Sequence, residues 1–186
     1  MTPAAPAPEI VVTASAEETL AFGRRLAARL EPPLLIFLQG ELGAGKTTLA
    51  KGIISGLGAA REEDVTSPTF TLVHEFRGPA AERASAPQVA PAGEKNQPVD
   101  FGAVPPAPGH QRLSTGLRVF HIDLYRIEGV AAFDSLGLDD LFAAPAVVLV
   151  EWAEKWTLRS DWPVLRIHLA ALDDGRHSIA LSSEGS

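Results

Sequence analysis

The chain has no cysteine, a single methionine and a single tyrosine. Without thiols there is neither a disulfide framework nor a thiolate metal site, and the five histidines are scattered rather than set at ligand spacing. A structural metal is therefore not expected. No segment approaches the roughly 18 consecutive apolar residues of a membrane span. Residues 1–8 are rich in proline and alanine and lack the positive start and apolar centre of a signal peptide. A basic excess is missing too: the formal charge is −7 and the isoelectric point is near 5.2. That balance speaks against a broad nucleic-acid or membrane surface, although it is compatible with a local cationic patch at a phosphate site. The expectation is a soluble cytoplasmic protein whose contact with RNA, if any, is indirect.

What is present is enough apolar material for one core. With 186 residues, 46% of them hydrophobic, the chain is expected to form one domain over residues 9–186 behind a disordered tail at 1–8. Ser15 with Glu18 fits a capping box, and Leu20, Phe22, Leu26, Ala27 and Leu30 continue at helical spacing until Pro32-Pro33. Leu34 to Leu38 is an apolar run suited to a strand buried on both faces, and a second helix is expected from Lys46 to about Gly56-Leu57-Gly58.

Strands are expected at Thr69 to Phe76, Leu117 to Leu124 and Ala146 to Val150. Short helical pieces are expected at Val130 to Ser135 and Asp139 to Phe142. Val164 to Leu169 and Ser178 to Ser182 read as a hairpin about Asp173-Asp174-Gly175. The fold class that follows is α/β, with a mostly parallel sheet flanked by helices and the antiparallel C-terminal hairpin at its edge. Between Pro79 and Pro108 lie seven of the fifteen prolines and few large apolar residues. Such a segment cannot bury enough surface to offset its ordering entropy, so an insertion at about 78–116 is expected to be disordered.

The strongest chemical signal is Gly40-Glu41-Leu42-Gly43-Ala44-Gly45-Lys46-Thr47, which fits G-x-x-x-x-G-K-[ST] between a predicted strand and a predicted helix. Glycines let the backbone approach phosphate oxygens, so that successive N–H groups and the helix start face an anion. Lys46 is expected to reach the β- and γ-phosphates of a nucleotide, Thr47 to give its hydroxyl to Mg²⁺, and Thr48 to sit near the α-phosphate. Such a site also needs an acid at the end of a neighbouring strand. Asp123 and Glu151 both end apolar strands, where open α/β sheets place their ligands, and the competing reading of each is a solvent-facing or helix-capping acid. Thr66, Ser67 and Thr69 suit a loop that senses the γ-phosphate and suit an ordinary Ser/Thr/Pro turn as well. Trp152, Trp156 and Trp162 read as core or partner-surface aromatics, and His121 as structural.

Taken in order, Gly40-Glu-Leu-Gly-Ala-Gly-Lys-Thr-Thr48, Ser67-Pro-Thr-Phe-Thr-Leu72, His121-Ile-Asp-Leu-Tyr-Arg126 and Leu149-Val-Glu-Trp152 resemble the TsaE family of bacterial tRNA threonylcarbamoyladenosine biosynthesis ATPases. The resemblance implies a small P-loop fold that binds ATP with Mg²⁺. It implies hydrolysis within a complex of two other proteins, which transfer a threonylcarbamoyl group to the adenosine beside the tRNA anticodon. It further implies that Lys46, Asp123 and Glu151 are catalytic, that Thr47 and Glu151 are linked to the metal, and that Ser67 and Thr69 form a switch-like loop. Arg176 would contact the nucleotide. The Pro79–Pro108 segment is longer than the connection typical of that family. Two competing readings are weaker. A small-molecule P-loop kinase needs an Arg-rich lid that the chain does not display. A GTP switch finds only Asp134-Ser-Leu-Gly137, inside a predicted helix, and no guanine-reading motif.

Overall fold

The computed structural model describes residues 9–68, 72–78, 116–128, 136–155 and 161–184. The strands are β1 (Glu9–Thr13), β2 (Leu34–Gln39), β3 (Val73–Arg77), β4 (Arg118–Asp123), β5 (Val147–Glu151), β6 (Val164–Ala171) and β7 (His177–Glu184). The helices are α1 (Ala16–Ala27), α2 (Lys46–Gly56) and the single turn α3 (Leu138–Leu141). All seven strands form one sheet in the order β1-β7-β6-β2-β5-β4-β3. The four strands β6, β2, β5 and β4 run parallel, whereas β1, β7 and β3 join antiparallel.

The sheet is therefore mixed rather than mostly parallel, and the C-terminal hairpin does not form its edge. β1 covers β7, pairing Glu9–Thr13 with His177–Leu181. The sequence signal for β1 is the β-branched run Ile10-Val11-Val12-Thr13, which is short and leaves Ile10 and Val12 exposed.

α1 opens as its capping box requires. Ser15 Oγ accepts from Glu18 N at 3.2 Å, while Glu18 Oε2 accepts from Ala14 N at 2.7 Å, one residue outside the usual reciprocal partner. The helix ends at Ala27, ahead of Leu30. Its last turn tightens into i→i+3 bonds, Arg29 N to Leu26 O and Leu30 N to Ala27 O. Pro32 lacks the N–H that a further turn would use. β3 also starts later than expected, at Val73, because Leu72 takes a left-handed conformation with φ of 65°. Residues 69–71, the helix expected at Val130 to Ser135, the tail 1–8 and residues 79–115 of the expected insertion lie outside the described residues.

Side-chain alternation divides the core in two. Ile36 and Leu38 of β2, Val147 and Leu149 of β5 and Val119 of β4 pack with Leu49, Ile53 and Ile54 of α2 and Phe22 and Leu26 of α1. Leu35, Phe37, Phe120, Ile122, Val148 and Val150 face the other way, against Ile127, Leu138 and Ala153. The same period of two carries Asp123 and Glu151 onto the α1/α2 face, at the C-terminal ends of their strands.

β3 and β4 pair over their whole length, and Gly78 N donates to Leu117 O at 2.8 Å where the connection leaves the sheet. Deleting Pro79–Pro108 shortens that connection roughly fivefold and is expected to leave the fold intact, with a gain in stability of about 1 kcal/mol from loop closure. Thermal unfolding of the shortened chain checks this, and loss of a cooperative transition contradicts it.

Candidate active site

The site lies where β2, β5 and β4 end, the position at which open α/β sheets present ligands. β2 delivers the chain into the glycine loop. Gly40 has φ of 132° and lies against the Leu169 carbonyl of β6 so closely that a Cβ there has no room. Gly45, with φ of 98°, precedes the first residue of α2. Unlike α1, which has Ser15 as cap and Glu17 and Glu18 in its first turn, α2 has no side-chain cap and no acid in its first turn. Its leading N–H groups are left to serve an anion from outside the helix. His177 supports the loop from β7: its Nδ1 donates to the Ala44 carbonyl at 3.1 Å.

Lys46 is buried and turned back onto the loop, its Nζ donating to Gly40 O at 2.7 Å and to Glu41 O at 2.8 Å. The same ammonium stands 3.7 Å from the ring centroid of Trp152. Burial lowers its pKa from the ordinary lysine value, and the carboxylates of Glu151, Glu154 and Asp123 oppose part of that shift. Thr48 stands beside Thr47 in the first turn of α2. Leu42, at the tip of the loop, is 79% exposed.

Thr47 Oγ1 donates to Glu151 Oε2 at 3.0 Å, joining residues 104 positions apart in sequence. The other oxygen of Glu151 meets His121 Nε2 at 2.8 Å, and both side chains are buried. Register places Asp123 directly beside Glu151. Asp123 divides its carboxylate as well, accepting from Ser67 Oγ at 3.0 Å and from Tyr125 N at 2.9 Å. The structure thus brings Lys46, Thr47, Ser67, Asp123 and Glu151 together and assigns the two acids different neighbours. Thr66 is exposed beside Ser67, and Thr69 lies outside the described residues. Arg176 is exposed at the β6–β7 turn, where Asp174 holds its guanidinium through contacts of 2.7 and 2.6 Å.

Trp152 is half-buried against the second core cluster, in keeping with the sequence expectation of a core or surface aromatic, and it reaches the site as well. It has φ of 61°, donates its backbone N–H to Leu38 O at 3.2 Å, and meets the Tyr125 ring in a tilted contact with centroids 4.9 Å apart. A non-glycine residue held in this region marks strain that the surroundings impose. An open cavity of about 590 Å³ beside the loop includes Gln39, Glu41, Trp152, Glu154 and His168 in its lining. His121, His177 and Trp152 were the site residues least visible in the sequence. For His121 a signal existed: it lies two before Asp123, and so on the same face of β4.

The architecture defines an α/β protein with a Walker A loop at the C-terminal edge of its parallel strands. Residues 13–85 and 109–179 match the profile of the family described as threonylcarbamoyl adenosine biosynthesis protein TsaE, and the chain belongs to that family. The tRNA threonylcarbamoyladenosine biosynthesis protein TsaE of Bacillus subtilis is 30% identical, over 94% of this chain and 85% of its own length. The protein of the same name from Treponema pallidum is 27% identical, over 92% of this chain and 98% of its own. Among solved structures, that of Bacillus subtilis YdiB aligns with a TM-score of 0.58 at 26% identity, covering 96% of this chain and 86% of that one.

Proposed function

We propose that this chain is a P-loop ATPase of tRNA threonylcarbamoyladenosine biosynthesis, working with two other proteins that transfer the threonylcarbamoyl group to the adenosine beside the anticodon. The biological process rests on family membership and on the names of the relatives. The ATPase reading rests above all on one contact, Thr47 Oγ1 to Glu151 Oε2, at the mouth of an uncapped helix preceded by a Walker A loop.

Among the described residues no group of three or more His, Asp and Glu is arranged to hold a metal ion. Mg²⁺ does not need such a cage, because it takes one or two carboxylates together with substrate phosphates and waters. The hard oxygens of Thr47 and Glu151 fit that requirement. Held there with the phosphates, the ion would neutralise charge on the transferring phosphoryl group.

In this reading the N–H groups of the loop and of the first turn of α2 hold the phosphate oxygens of ATP. Lys46 exchanges the Gly40 and Glu41 carbonyls for the β- and γ-phosphates. Asp123, already fixed by Ser67 and Tyr125 N, orients the attacking water, and loss of the γ-phosphate reorders Thr66 to Thr69 and resets a partner. Arg176 contacts the nucleotide after exchanging Asp174 for it. The chain works in the cytoplasm and reaches tRNA through its partners. Reconstitution with the partner proteins, measuring ATP turnover and tRNA modification together, tests the proposal. Stimulated hydrolysis and modification that depends on this chain are expected, and modification over many turnovers without it refutes the role.

A further inference from the structure

His121 has no place in the chemistry above, yet it is the most enclosed polar side chain of the site, with no exposed surface. Its Nε2 lies 2.8 Å from Glu151 Oε1, and its Nδ1 is buried with no hydrogen-bond partner among the described residues. A carboxylate oxygen accepts, so Nε2 is the donor in this contact. The imidazole is therefore committed in one direction, toward Glu151.

Resting on the ATPase reading, we propose that His121 is a positioning residue for the metal-linked carboxylate. By donating to Oε1 it sets the rotation of the Glu151 carboxyl and keeps Oε2 turned toward Thr47 and the metal position. The argument is geometric. Glu151 ends β5 and has two oxygens; one faces Thr47 at 3.0 Å and is the oxygen available to a cation there. With nothing holding the other oxygen, the carboxyl is free to rotate and Oε2 loses its direction. His121 is well placed to prevent this because β4 lies directly against β5, with His121 opposite Leu149 and Asp123 opposite Glu151. The imidazole sits within the sheet, with His74 of β3 as its cross-strand neighbour. Partners behind a metal ligand of this kind change metal affinity by roughly 10- to 100-fold when removed.

The test separates donation from packing. His121→Leu removes the donor and retains bulk. His121→Asn retains an amide, but on a shorter side chain that stops near the Nδ1 position, out of reach of Glu151. His121→Gln extends an amide N–H to where Nε2 stands. Affinity for a fluorescent ADP analogue is measured first in EDTA and then over a Mg²⁺ titration, with the full-length chain. The leucine and asparagine variants are expected to bind the analogue in EDTA within about twofold of the unaltered chain, yet to need roughly tenfold more Mg²⁺ for half of the metal-dependent gain. The glutamine variant is expected to recover the original requirement. If His121→Leu does not fold, the contrast between asparagine and glutamine decides. An unchanged Mg²⁺ requirement in His121→Leu or His121→Asn, or an equal loss in asparagine and glutamine, overturns the positioning role. If the unaltered chain shows no Mg²⁺-dependent gain in affinity, the ATPase reading fails instead.

Discussion

Lys46→Ala is expected to lower ATP hydrolysis by at least about a hundredfold while leaving the fold in place, the scale found when one preorganised electrostatic donor is removed from a reacting centre. In the structure the ammonium is occupied by Gly40 O, Glu41 O and the face of Trp152. Its stability effect has a definite sign. The folded-state pKa is lowered, so the charged form is disfavoured by folding at neutral pH, and that cost fades only as pH rises toward the ordinary lysine value. Removing the charge relieves this cost and offsets the lost packing and hydrogen bonds. The melting temperature is therefore expected to stay within about 5 °C. Turnover of Mg-ATP and thermal unfolding, measured on one preparation, check both halves. Unchanged turnover rejects the site, and loss of cooperative unfolding shows that Lys46 is instead a structural residue of the loop.

Glu151→Gln carries the second large effect. The amide is nearly the same shape as the carboxylate and can accept from His121 Nε2 with its oxygen while its NH₂ faces Thr47, whose hydroxyl turns to accept. Packing is thus preserved and the negative charge is removed. That charge is also the first of the three carboxylate influences that raise the pKa of Lys46, so its loss further weakens the charged state of the lysine. ATP hydrolysis is expected to fall by roughly 100- to 1,000-fold and the dependence of nucleotide affinity on Mg²⁺ to disappear, with affinity in EDTA unchanged. Retained Mg²⁺ dependence contradicts the assignment. Were Asp123 the metal-linked acid instead, Asp123→Asn would produce this phenotype and Glu151→Gln would not.

The two acids show how far sequence reading reaches. Each ends an apolar run, so each was identifiable as a strand-terminal carboxylate, and a sheet with ligands at its C-terminal edge was legible from the order of strands and helices. Their different hydrogen-bond partners were not legible in local pattern. They depend on β4 and β5 being adjacent and in register, on both acids falling on the α2 side of the pleat, and on α2 leaving the loop at an angle that directs Thr47 toward Glu151. Ser67 took sides in the same way, bonding Asp123 across 56 positions of sequence.

By itself the sequence determined the glycine loop, the strand before it and the helix after it, because those depend on contacts a few residues apart: glycines where the backbone needs positive φ, apolar runs of strand length, and helical spacing behind Lys46-Thr47. Four ordered blocks were also sufficient to indicate the family. Only the tertiary structure decided that β1 rather than the C-terminal hairpin closes the sheet, that Trp152 covers Lys46, and that His121 is enclosed behind Glu151. The physical reason is the same in each case. Strand adjacency and register are settled by packing two faces of one sheet at once, and residues far apart in the chain carry no local mark of which partner that packing will bring them.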